Sequence, residues 1–122
     1  MTKEQISLNS LLKYWQEILA LSHWSISVKP VVKLEEDGQR GHIEYMNTER
    51  SAIISILNKR SLSRLRKKEP LYNESQENIL VHELLHLLTQ NVKEGEDSEE
   101  TFINSLTRSL LLLKERTTSG AV

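Results

Sequence analysis

The chain has 122 residues, enough for one hydrophobic core but not for two. With 38% hydrophobic and 27% charged residues and a formal net charge of -1, it shows no global pull toward nucleic acid or an anionic membrane. It has no cysteine, which excludes disulfides and thiolate metal sites and leaves His, Asp or Glu to hold any metal.

Residues 1–5 lack the pattern of a signal peptide, and the leucine run at 110–113 is too short to cross a bilayer, so a cytoplasmic protein is expected. In 6–21, Ile6, Leu8, Leu11, Leu12, Trp15, Ile18, Leu19 and Leu21 recur at helical spacing and predict an amphipathic helix. The period then falls to two. Trp24, Ile26 and Val28 alternate with polar residues as in a half-buried strand, and Pro30 makes it an edge or bent one. Asp37, Gly38 and Gly41 mark a turn, after which Ile43 and Tyr45 alternate with His42 and Glu44. The isoleucine-rich run 52–57 reads as a third, more buried strand.

Residues 58–73 form a polar connection, with a short helical turn expected around Leu62 and Leu65. Its cations, from Lys59 to Lys68, have no interleaved aromatics and read as a solvated surface, so no nucleic-acid partner is expected. The next helix is expected to be capped by Asn73, with Glu74 and Glu77 in its first turn. Ile79, Leu80, Val81, Leu84, Leu85, Leu87 and Leu88 make it apolar almost all round, as in a helix at the centre of a core. A charged loop, 91–98, leads to a last helix over 99–115 whose expected core face is Phe102, Ile103, Leu106, Leu110 and Leu113. Residues 117–122 read as a loose tail. The whole is one α+β domain, 1–122, without repeats.

Three titratable residues interrupt the leucine-filled helix: His82, Glu83 and His86. Residues four apart share a helix face, so His82 and His86 can offer two imidazoles to one metal ion. Glu83 sits about 100° round, beside the metal rather than on it, placed to move a proton of a metal-activated water. A catalytic zinc site has three protein ligands and an open position. No histidine follows His86, and His23 and His42 read as surface residues at strand edges. That leaves a carboxylate of the last helix. Glu99 falls near the centre of its core face and Glu100 about 100° to one side, and both stay open.

The segment Val81-His82-Glu83-Leu84-Leu85-His86-Leu87 resembles the zincin metallopeptidases, specifically their gluzincin branch. Most of the chain is also similar to small proteins of tailed bacteriophages and prophages that are assigned as metallopeptidases by motif. The resemblance implies a minimal zincin-like fold: an N-terminal helix, a three-stranded sheet, an active-site helix and a C-terminal ligand helix. It further implies Zn2+ bound by His82, His86 and Glu100, with Glu83 as general base and a peptide or protein as substrate. Glu100 is preferred over Glu99 because it precedes the run 101–106 as in the family pattern. The downstream His or Tyr that steadies the oxyanion in larger relatives has no counterpart, so Tyr45, Tyr72 or His42 is expected to serve. The strand at 52–57 is expected to pair with an extended substrate. No membrane partner is expected. A scaffold that binds zinc without turning over substrate is the alternative.

Overall fold

The computed structural model describes residues 1–36, 38–68, 74–90 and 96–118. Helix α1 (Lys3–Ile18) starts where Thr2 accepts a hydrogen bond from the Gln5 amide at 3.1 Å. Leu8, Leu12 and Trp15 fall on one face and are buried. The helix stops three residues short of the predicted end. Leu21 N–H bonds back to the Gln16 carbonyl and Ala20 N–H to that of Glu17, closing a Schellman turn with Ala20 at φ 56°. Leu21 is buried all the same, so the apolar period ran past the helix.

Three strands follow: β1 (Ser25–Val31), β2 (Gly41–Met46) and β3 (Ser51–Leu57). The sheet order is β1-β3-β2, with β1 parallel and β2 antiparallel to β3. Pro30, which has no N–H to give, lies on the edge strand β1 as expected. Isoleucine-rich β3 is central and buries Ala52, Ile54 and Ile56 on its inner face. Being paired on both sides, it has no free edge, so the expectation that 52–57 receives a substrate strand is overturned.

The basic segment is a full helix, α2 (Lys59–Lys68), rather than a connection with one turn. Leu62 and Leu65 pack it on the core, and the Glu4 carboxylate accepts from the Lys59 amide at 2.7 Å. Helix α3 (Gln76–Thr89) is capped by Ser75, whose hydroxyl accepts from the Asn78 amide; Asn73 lies outside the described residues. Ile79, Leu80, Val81, Leu84, Leu85 and Leu87 are buried, which bears out the central position read from the sequence. Glu77 in the first turn accepts from Trp15 Nε1 at 2.8 Å and from Lys114, so one carboxylate ties α3 to both outer helices.

Helix α4 (Glu96–Thr118) begins earlier and ends later than predicted. Its buried line runs through Ile103 and Thr107, with Leu106, Leu110 and Leu111 packed beside it. Phe102 and Leu113, expected in the core, are 56% and 62% exposed. The fold is α+β, four helices with a three-stranded sheet among the described residues, and none of the described helices is long and apolar enough to cross a membrane.

Candidate metal centre

His82 and His86 stand one turn apart on α3 with ring centroids 4.8 Å apart, and their Nε2 atoms approach to 3.1 Å. Glu100 of α4 completes the group. Its Oε1 is 2.8 Å from His86 Nε2 and its Oε2 is 3.4 Å from His82 Nε2. Ligand atoms placed tetrahedrally at zinc-like bond lengths of about 2.0–2.1 Å lie about 3.3 Å from one another. Three donors from two helices at 2.8–3.4 Å fit that demand, and His82, His86 and Glu100 together could hold a metal ion.

The protonation pattern suits a metal. Glu99 Oε1 lies 3.3 Å from His86 Nδ1, and a carboxylate can only accept, so the tautomer that donates from Nδ1 to Glu99 is the one that leaves Nε2 its lone pair for a metal. Glu99, the alternative third ligand, therefore addresses the far side of His86, where it fixes the ring. Thr89 Oγ1 approaches the same carboxylate oxygen at 3.2 Å. The side chain of Asn104 also acts on the His82 ring, in the direction that favours its protonated form. Burial, and then the neighbouring His86, lower the pKa of His82 against the pull of Glu100, Glu74 and Asn104, which favours the neutral imidazole that a metal needs.

Glu83 is 8% exposed and points to β2 rather than at the histidine nitrogens. Burial, reinforced by Glu100, pushes its carboxyl up to about 7, while His86 and His42 hold it down. Gly41 makes room for it. A Cβ on Gly41 would stand 2.5 Å from Ile79 Cγ2 and 3.2 Å from Glu83 Oε2, so α3 lies directly against the backbone of β2. Beside the group is a cavity of about 240 Å³ lined by His82, Glu83 and Glu100 together with Arg40, Glu74 and Asn104. Arg40 Nη1 lies 3.9 Å from Glu74 Oε1 across it.

His82, Glu83, His86 and Glu100 thus come together as the sequence reading expected. The expected oxyanion donors do not join them. His42 lies on the opposite face of β2, paired across the sheet with Ser55 and 3.6 Å from Glu44. Tyr45 shares the inner face with Gly41 but is 43% exposed, about 13 Å along the strand, and does not line the cavity. Tyr72 lies outside the described residues. His23 is exposed. The cavity's own donors, Arg40 and Asn104, were missed. Asn104 was within reach of sequence reasoning, since it follows Glu100 by four and shares its face of α4. Arg40 carries no such signal. No protein-family model, curated protein or solved structure matches the chain, so the reading of this site stands on its own geometry.

Proposed function

We propose that the chain is a zinc-dependent peptidase in which His82, His86 and Glu100 hold the metal and Glu83 is the general base. The observation that carries this is the convergence of two Nε2 atoms and one carboxylate beside a second, buried carboxyl on a cavity wall. Two neutral imidazoles and one carboxylate with room for a further ligand are the donor set of catalytic zinc. Zinc bound there would lower the pKa of a coordinated water to about 7 and polarise the scissile carbonyl. The protein does the rest. Glu83 takes the proton from the attacking water and gives it to the leaving amine nitrogen as the C–N bond breaks. Arg40 is the cationic side chain of the cavity lining and the donor available for the charge that develops on the carbonyl oxygen. Strand β2, whose outer edge is unpaired among the described residues and whose first residue touches Glu83, is the edge along which an extended peptide would lie.

One observation favours a second reading, a metal-binding scaffold without turnover: among the described residues no tyrosine lines the cavity, and Arg40 has Glu74 for a neighbour. Metal analysis of protein purified without added zinc, with peptide-library cleavage before and after chelation, separates the two. One zinc per chain and cleavage lost on chelation and regained with zinc support the peptidase. One zinc without cleavage supports the scaffold. Undiminished metal content in His82→Ala would sink both.

A further inference from the structure

Helix α2 carries Lys59, Arg60, Arg64, Arg66, Lys67 and Lys68 in ten residues with no acidic residue, although the net charge of the chain is -1. All six are exposed. At 100° per residue, Arg60, Arg64, Lys67 and Lys68 fall within about 100° of arc, opposite Leu62 and Leu65, which are packed into the core. The helix is thus held with one face outward, and that face is purely cationic. Among the described residues no ion pair engages any of the six, and the one side-chain bond they make is from Arg66 to the Glu74 carbonyl. The basic surface also runs past the helix. Lys33, from the segment after β1, lines an open cavity with Arg64, Lys68 and Glu36, and on its other side a second cavity with Lys29, Glu35 and Glu44.

Local stability does not explain this arrangement. Arg60 with Arg64, and Arg64 with Lys67 and Lys68, are like-charge pairs at three- and four-residue spacing, which weaken a helix. Lys59 and Arg60 occupy the first turn, where the dipole disfavours cations. Arg66, Lys67 and Lys68 in the last turn are favoured by the dipole, but that accounts neither for Lys59 and Arg60 nor for the like-charge spacing. A rule broken in this way points to a partner.

From sequence alone no nucleic-acid partner is expected for these cations. Their display on one face of a helix changes that reading, and we propose that α2, with Lys33, is a docking surface for the phosphate backbone of double-stranded nucleic acid. The chemistry favours this occupant over others. A membrane-surface helix needs an apolar face toward the lipid, and here both leucines are spent on the core. An interface with an acidic protein needs a central aromatic or apolar anchor, and the exposed positions of α2 are all Lys, Arg or Ser. Phosphates need only charge, and without aromatics to stack on bases the binding is to the backbone and independent of sequence. This surface is separate from the candidate metal centre and does not rest on the peptidase reading.

Fluorescence anisotropy of the full chain with a labelled random-sequence duplex of about 20 base pairs tests it. Binding in the micromolar range at low salt is expected, weakening by about 10² or more between about 50 and 200 mM salt if four or five phosphates are neutralised. Arg60→Gln/Arg64→Gln/Lys68→Gln should lower the slope of log K against log salt by about 2.7, and Arg64→Gln alone by about 0.9. These side chains are exposed, so circular dichroism and thermal unfolding should match the wild type, and Arg64→Lys should keep the full slope. No binding at low salt, or unchanged binding by the triple variant, overturns the proposal. Tighter binding to polyglutamate or to phosphatidylserine vesicles than to the duplex also overturns it, in favour of an acidic protein or a membrane.

Discussion

Gly41→Ala tests the contact that brings the proposed base up to the sheet. The added methyl would stand 2.5 Å from Ile79 Cγ2, where carbon atoms settle at about 3.5–4.0 Å, so something must yield by about 1 Å. Ile79 cannot simply swing away, because it is 3% exposed and a β-branched side chain in a helix has one favoured χ1. Either α3 moves off β2 or Ile79 leaves its rotamer. Overpacking of this kind costs about 1–3 kcal/mol, and alanine returns about 0.4–1 kcal/mol by restricting the unfolded chain. At the middle of both ranges the net loss is about 1.3 kcal/mol, or about 4–8 °C in melting temperature for a chain of this size. Urea and thermal unfolding of the metal-free protein measure it. A double-mutant cycle locates it: Ile79→Ala removes the opposing methyl, so Gly41→Ala should be harmless or favourable in that background, with a coupling of about 1–2 kcal/mol. Glu83 Oε2 would also be pressed at 3.2 Å, so peptide cleavage should fall more than zinc affinity. A Gly41→Ala protein of wild-type stability, or strictly additive losses in the cycle, would refute the argument that α3 rests on the bare backbone of β2.

Glu83→Gln should retain one zinc per chain and lose cleavage; equal cleavage by variant and wild type would assign the activity elsewhere. The same variant has a stability signature in the metal-free state. Because the Glu83 carboxyl is raised to about 7, its ionisation opposes folding increasingly as pH rises from about 4.5 to 7, so Gln should stabilise by up to about 3 kcal/mol at pH 8 and by nothing at pH 4. A pH-independent difference in urea midpoint would count against that burial. Glu100→Gln should abolish stoichiometric zinc, whereas Glu99→Gln, which loosens only the far side of His86, should weaken it by about 10–100-fold; competition with a chelator reads both, and the reverse order would exchange their roles. Ala20→Gly should raise the melting temperature by a few degrees, since left-handed alanine costs about 1–2 kcal/mol and glycine's greater unfolded entropy returns only part of that; a lower melting temperature would show that the turn is not strained.

The site was legible where chemistry and periodicity pointed to the same residues. His82 and His86 could be read because two imidazoles at four-residue spacing interrupted a leucine helix, and Glu100 through a resemblance rather than through the helix itself. The core face assigned to α4 included Phe102 and Leu113, yet its buried line passes through Ile103 and Thr107, and a threonine at the centre of a face is invisible to an apolar count. On that line Glu100 lies about 40° to one side and Glu99 about 60° to the other, so the shift removes the central place that the expected face gave to Glu99. What could not be decided was which nitrogen each carboxylate would meet, a question of rotamer and interhelix distance. Helix α2 escaped for the opposite reason. With six cations in ten residues, only Leu62 and Leu65 carry its helical period, and two apolar positions resemble a turn as much as a helix.

The strand edge was misplaced by a related ambiguity. A run of isoleucines marks a strong strand at the centre of a sheet, here with Ala52, Ile54 and Ile56 buried on one face and Ile53 half exposed on the other. A central strand is paired on both sides, so the feature that drew attention to β3 also disqualified it as a docking edge. Strand β2, half polar and beginning with a glycine, looked the poorer candidate. Yet a peptide can pair only where N–H and C=O groups are unclaimed, and α3 can come within reach of that strand only where no side chain intervenes. Gly41 meets the second condition and the sheet order meets the first; β1 is an edge strand too, but only β2 has such a glycine against α3. The edge that meets the candidate metal centre is therefore the one with the weakest hydrophobic signature.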